Sequence, residues 1–243
     1  MPQEPSPPAR FWNDLTPDER QALEAIGRPR SYNSGDVLVN QGDDSDYVIV
    51  IKDGWVKITS ATADGRLVLL AVRGPADLVG EGAVFRESEQ RFATVTSLGK
   101  LETFVVLKSR FTDFLDSHPR VARMMMAMIQ RRMDESDRRA QARASAADGG
   151  LRLVDLLIDL AEISLAYEPA DPAEPIEISP PLSQSDLGSW ADASRETAAR
   201  QLRILREKNL VLTGWRRLTV LDLAGLRAYA EERRKELDST NRP

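Results

Sequence analysis

Two short stretches carry side chains whose types and spacing could do chemistry. The first, "GEGAVFRESEQRFAT" at residues 80–94, sets Gly80 and Glu81 ahead of Arg91, with Phe92 next to that arginine. An arginine beside a glycine turn suits a small buried anion. The guanidinium brings charge and fork geometry together, and backbone N–H groups on the turn add donors. The second, "LSQSDLGSWADASRETAARQLRILREKN" at 182–209, reads as two helical segments around "ADA", with Ser183 and Ser194 as N-caps. At about 100° per residue, Ala198, Leu202 and Leu205 fall on one side of the second segment, and Arg195, Glu196, Ala199, Arg200 and Arg203 on the other.

That second face has the chemistry to read base edges. Arginine takes the O6 and N7 of a guanine together, glutamate accepts from a cytosine amino group, and small Ala199 allows close approach. A merely solvated face would more often mix Lys and Glu at i,i+4. From 195 to 217 the cations are Arg195, Arg200, Arg203, Arg206, Lys208, Arg216 and Arg217, against Glu196 and Glu207 alone. In a chain of net charge −5 this local excess is the footprint of a polyanion. Then "LVLTGWRRLTVLDL" supplies two short strands around Gly214, a wing on which Arg216 and Arg217 could touch phosphate. The competing reading of the whole segment is a charged helical hairpin with no such partner.

Positioning these groups requires two domains, which a length of 243 residues accommodates. With 42% hydrophobic and 29% charged residues the composition is that of a globular protein. No apolar run approaches the roughly 20 residues that span a bilayer, and no signal segment opens the chain, so a cytoplasmic location without membrane contact is expected. Zero cysteines exclude disulfides, thiol catalysis and iron–sulfur clusters, and a single histidine, His118 before Pro119, argues against a metal centre. An enzyme is disfavoured: there is no P-loop, no metal-ligand cluster and no nucleophile–base pair. A pure scaffold remains the other competitor.

Along the chain, the proline-rich 1–10 reads as a disordered tail. Thr16, Pro17 and Glu19 open a short helix with a capping box. From Arg30 to Leu107 come short β-type runs broken at Gly35-Asp36, Gly42-Asp43-Asp44, Asp53-Gly54 and Asp64-Gly65. This is the texture of an antiparallel roll or sandwich over 11–118. A long helix follows over 119–147, carrying five of the six methionines. Its Val121, Met124, Met125 and Met128 share a stripe that continues to Arg132 and Ser136 and reads as a two-helix dimer seam, with burial in a monomer core as the alternative. Asp148-Gly149-Gly150 reads as a hinge over 148–150, before a DNA-binding domain over 151–243. The acidic loop at 167–181 reads as an exposed connector, and the helix from Leu223 to Leu237 has too mixed a pattern to assign a role.

With these residues in view, the chain from about Phe11 to Leu221 resembles the cyclic-AMP receptor protein family of bacterial transcription regulators, also called the CRP/FNR family. The likeness is most specific at "SRETAARQLRILREKNL". It implies an α+β chain: an N-terminal antiparallel β-roll of the cyclic-nucleotide-binding kind, a long dimerisation helix and a C-terminal winged helix-turn-helix. It also implies a homodimer on double-stranded DNA, in contact with RNA polymerase. By the resemblance, Arg195, Glu196 and Arg200 match the residues that read a TGTGA-like half-site, and Asp192 stands where the family commonly has glycine. "DLVGEGAVF" and Arg91 are similar to the family's phosphate-binding cassette, Glu81 holding a ribose hydroxyl and Arg91 a cyclic phosphate. Arg132 and Ser136 match positions that face the nucleotide across the dimer seam, and Asp137 beside Ser136 adds a negative charge near the place a phosphate-bearing ligand would sit. Phe92 departs from the usual Ser or Thr, and phenylalanine cannot donate to phosphate. The effector then remains open between cyclic AMP, cyclic di-GMP, and none, with Glu81 and Arg91 paired to each other in a vestigial pocket.

Overall fold

A computed structural model of the chain describes residues 10–44, 46–62, 67–85, 90–145, 148–214 and 217–240. The expectations for the 1–10 tail (all but Arg10), the Asp64-Gly65 turn and Arg216 lie outside these residues. The chain divides into two compact units, 1–136 and 137–243, each described by itself.

The first unit opens with α1 (Pro17–Ile26), started by the expected capping box: Thr16 Oγ1 accepts from the Glu19 N–H, and the Glu19 carboxylate accepts from the Thr16 N–H. The strands follow as β1 (Arg28–Tyr32), β2 (Val37–Val39), β3 (Tyr47–Asp53), β4 (Val56–Ala61), β5 (Leu67–Arg73) and β6 (Leu78–Val79). After the short α2 (Gly82–Phe85) come β7 (Thr94–Ser97), β8 (Leu101–Leu107), α3 (Lys108–Ser117) and α4 (Pro119–Ser145). They form two antiparallel four-stranded sheets, β1-β8-β3-β6 and β2-β7-β4-β5. The "VIVI" run of β3 is buried on both faces. Its period of two sends Ile49 and Ile51 into the roll with Val56, Val79, Val95 and Leu101, and Val48 and Val50 toward the helices with Leu23, Phe111 and Phe114. Strand β1 lies outside the β-type runs read from the sequence; it is a sheet edge, paired only to β8, where a proline such as Pro29 is tolerated.

Helix α4 corrects the dimer-seam expectation. Val121, Met125 and Met128 are fully buried within the protomer, packed into the core formed by α1, α3 and the sheet, with Met124 partly buried beside them. The stripe is real at helical spacing, but the β-roll of the same chain covers it, because α1, α3 and the sheet together form the apolar surface the seam reading assumed to be missing. Among the described side chains the large apolar ones that α4 exposes are Met126 and Met133, 64% and 56% exposed and seven positions apart.

The second unit comprises α5 (Gly149–Tyr167), β9 (Ile176–Glu177), α6 (Gln184–Trp190), α7 (Arg195–Glu207), β10 (Val211–Gly214), β11 (Arg217–Val220) and α8 (Leu223–Thr240). Its sheet order is β10-β11-β9, antiparallel. The hinge reading changes here. Asp148 is the N-cap of α5, its carboxylate accepting from the Gly150 N–H at 3.0 Å, so the glycine pair forms the helix's first turn. Gly150 is buried, and a Cβ on it would lie 2.9 Å from Gln201 Oε1: glycine is there for close packing, not for freedom. The acidic loop is no plain connector either, since Ile176 and Ile178 are buried and β9 pairs with β11.

Candidate nucleic-acid interface and effector pocket

The turn between α6 and α7 sets how the charged face is presented. Ser183 caps α6 in a capping box with Asp186. The chain then reverses through Ala191, Asp192 and Ala193, with Asp192 at φ 47°. That left-handed conformation explains why glycine is common there and why aspartate, one of the few side chains that tolerate it, can replace it. Arg152, from α5, holds the turn: its Nε donates to the Ala191 carbonyl at 2.8 Å and its Nη2 to the Asp192 carbonyl at 2.6 Å. The sequence reading missed Arg152, which lies about forty residues from the turn it holds.

Ser194 then caps α7, accepting from the Thr197 N–H at 3.1 Å and donating to Thr197 Oγ1 at 2.9 Å. The faces are as the periodicity requires. Ala198, Leu202 and Leu205 are buried, and Arg195, Glu196, Ala199, Arg200 and Arg203 are exposed. Among the described residues neither Arg195 nor Arg200 has an ion-pair partner within 4 Å, although the charge of Arg200 helps to hold the Asp148 carboxyl below its usual range; Arg203 is 3.8 Å from Glu207. At the far end of α7, Arg206 Nη1 donates to Thr213 Oγ1 at 3.1 Å, tying the helix to the wing. Arg217 on the wing sits 3.3 Å from Glu177 of β9, a pair exposed on both sides and cheap to exchange for phosphate.

The cassette of the first unit is built differently. Gly80 follows β6 at φ 83°, and a Cβ there would lie 2.6 Å from Arg91 Nη1, so only glycine fits. Arg91 is 7% exposed: its Nη2 donates to the Tyr47 carbonyl at 2.6 Å, its Nη1 to the Gly80 carbonyl at 3.3 Å, and its guanidinium lies 4.6 Å from the Tyr47 ring centroid. Burial pushes the Arg91 guanidinium below its ordinary value, and its Nε is buried with no hydrogen-bond partner. Glu81 does not pair with Arg91, as the vestigial-pocket alternative required. Its carboxylate accepts from Arg132 Nη1 of α4 at 2.5 Å, and Arg132 Nη2 donates to the Leu78 carbonyl at 2.9 Å and reaches Asp77 at 3.3 Å. Burial opposes ionisation of Glu81, but the charge and hydrogen bond of Arg132, a backbone hydrogen bond and the charge of Arg73 together outweigh it and hold the carboxyl below its usual range. Phe92 points outward at 57% exposure. Ser136 and Asp137 are exposed on α4.

A β-roll bearing a phosphate-cassette loop, followed by a winged helix-turn-helix with an arginine-rich second helix, defines a DNA-binding transcription regulator with a sensor-type domain. The cyclic nucleotide-binding domain family matches residues 29–118, and the Crp-like helix-turn-helix domain family matches residues 151–229. The chain belongs to the CRP/FNR family of transcription regulators. It is 23% identical over 182 residues to the cAMP-activated global transcriptional regulator CRP of Escherichia coli O6:H1, covering 74% of this chain and 83% of that one. To the transcriptional activator protein FnrL of Cereibacter sphaeroides it is 26% identical over 216 residues, covering 86% and 83%. In fold it is similar to the c-di-GMP responsive regulator CLP of Xanthomonas campestris, with TM-score 0.70, 23% identity, and coverage of 85% and 99%. The family is one of regulators, not enzymes. Among the described residues no helix is long and apolar enough to cross a membrane.

Proposed function

We propose that the protein is a cytoplasmic homodimer that reads a pseudo-palindromic operator by inserting α7 into successive major grooves. Arg195, Glu196 and Arg200 contact base edges of a TGTGA-like half-site, and Arg203, Arg216 and Arg217 contact phosphate. The half-sites of such a dimer lie about 34–36 Å apart. The observation that carries this reading is the pair of exposed arginines, Arg195 and Arg200, without ion-pair partners among the described residues, opposite the buried Ala198, Leu202 and Leu205. The outward Met126 and Met133 of α4, at heptad spacing, supply the apolar seam for the second copy. Contact with RNA polymerase follows from the same class of protein.

The β-roll is the sensor in this reading, and a cyclic nucleotide, cyclic AMP or cyclic di-GMP, is the effector class. Its support is a Gly80 that leaves no room for a Cβ, and a buried Arg91 Nε with no partner that a phosphate oxygen could satisfy. Effector binding would then shift α4 and with it the DNA-binding unit. A second reading, with no effector, is favoured by the internal commitments of Arg91 to two carbonyls and of Glu81 to Arg132.

Selection of binding sites from a random duplex pool tests the first part, with fluorescence anisotropy on the recovered site. Two symmetric half-sites, and loss of preference in Arg200→Ala, are expected; absence of any sequence preference would overturn it. Calorimetric titration with cyclic AMP, cyclic GMP and cyclic di-GMP tests the second. Heat that vanishes in Arg91→Ala identifies a working pocket, and no heat with any of the three supports the reading without effector.

A further inference from the structure

Tyr229, on the closing helix, touches the recognition helix at two places. Its hydroxyl accepts from Gln201 Nε2 at 3.1 Å, and its ring lies under the ammonium of Lys208 at 5.5 Å. Gln201 and Lys208 are seven positions apart, so both lie on the side of α7 turned toward α8. Gln201 is 6% exposed, next in sequence to Arg200, and its Oε1 closes against Gly150 of α5. A buried glutamine in the middle of a recognition helix is costly unless bonded, and here Tyr229 supplies the bond.

The rest of the α7 packing face is Ala198, Leu202 and Leu205. Such contacts are non-directional and tolerate small rotations of the helix about its own axis; the directional bonds at its ends are the Ser194 cap and Arg206 on Thr213, and in its middle Gln201 on Tyr229. A hydrogen bond is directional, and a small rotation of α7 would swing the long guanidinium arms of Arg195 and Arg200 through the groove. Helix α8 is anchored well enough to serve as the reference. Leu226 and Ala230 are fully buried, Arg227 pairs with Glu162 at 2.8 Å, Arg233 with Asp148 at 3.0 Å, and Arg234 with Asp155.

We infer that Tyr229 is a positioning residue for base recognition, setting the rotation of α7 through Gln201. This rests on the proposed reading of α7 as the base-reading helix. The test measures, for wild type, Tyr229→Phe, Gln201→Met, the double variant and Arg200→Ala, the ratio of affinities for the selected site and a scrambled duplex, together with the salt dependence and the melting temperature. Tyr229→Phe should lower the ratio about fivefold, the scale of one neutral hydrogen bond, with an unchanged salt slope. The double variant should be no worse than the worse single one, because both remove the same bond. A wild-type ratio in Tyr229→Phe overturns the inference, even if its melting temperature falls, since that outcome belongs to a residue with a structural role alone. If wild type itself shows no preference, the α7 reading falls and the inference with it; if Arg200→Ala discriminates as well as wild type, the base-reading assignment of Arg200 fails separately.

Discussion

The arginines of the cassette and those of α7 are the same side chain put to opposite use. Arg91 and Arg132 are turned inward, Arg91 with two hydrogen bonds to carbonyl oxygens and Arg132 with three to carboxylate or carbonyl oxygens, and Arg132 joins α4 to Glu81 and Asp77. Arg195 and Arg200 are exposed, with no ion-pair partner among the described residues. An arginine already satisfied contributes to the fold and must give something up to bind; an unsatisfied one contributes nothing to the fold and offers its full interaction to a partner. The cassette therefore holds its charge as structure, whereas Arg195 and Arg200 on the outer face of α7 stay exposed, even though other arginines of the same unit are paired.

The comparison breaks most visibly at Arg132. Replacing it by alanine leaves Glu81 and Asp77 with part-buried charge and no guanidinium between them, and removal of one member of a buried pair costs roughly 3–5 kcal/mol. Arg132→Ala should lower the urea midpoint of the first unit by that scale. Arg200→Ala in the same assay should stay within about 0.5 kcal/mol of wild type, as surface substitutions do. If both substitutions destabilise equally, the division between structural and reserved arginines is wrong.

The next effect runs the other way. Arg195→Ala and Arg200→Ala should each cost about 1–3 kcal/mol of discrimination between the selected and scrambled duplexes, read by anisotropy at fixed salt. Arg132→Ala, assayed where it remains folded, should lose affinity for both duplexes alike.

A third test uses pH. Arg120 of α4 holds Glu19 of α1, and this bond, with burial opposing and Thr16 assisting, lowers the Glu19 carboxyl to about 2 from 4.5. A folded-state value below the unfolded one stabilises above the unfolded value, and the contribution fades as pH falls from about 4.5 toward 2. Linkage sets a ceiling near 3 kcal/mol; with the Arg120 side chain 49% exposed, screening reduces this to roughly 1–2 kcal/mol. The gap in stability between wild type and Glu19→Gln should therefore be full at pH 7 and close by about pH 2. A gap independent of pH would show that Arg120 does not act through the charge of Glu19.

Much of this was legible in the residues alone. The β-roll announced itself by alternation and turn residues, and the two faces of α7 by helical spacing, because both depend on neighbours in sequence. What stayed hidden depends on a distant partner. The stripe of α4 gives the residues that share a face but not the surface covering it, so Val121, Met125 and Met128 read as a seam when the protomer's own sheet and helices cover them. Arg152 under the turn, Arg132 on Glu81 and Tyr229 on Gln201 join residues 28 to 51 positions apart, as the shared numbering makes plain. Helix α8 has no simple pattern because Arg227, Arg233 and Arg234 answer to acidic residues of α5 and its N-cap, with only Arg233 also paired inside α8, to Glu236.

The smallest effect lies at Arg217, which stands between the two kinds of arginine. It has a partner, Glu177, at 3.3 Å, but the pair is 77% and 60% exposed and contributes little to the fold. On DNA it would exchange that carboxylate for a phosphate, one weak interaction for a stronger one. Arg217→Ala should weaken selected and scrambled duplexes by the same factor and lower the slope of log affinity against log salt by about one per protomer. Glu177→Gln should release the arginine and raise affinity slightly for both, with no change in discrimination. A change in discrimination in either variant would mean that the wing reads sequence, and that Arg217 belongs with Arg195 and Arg200.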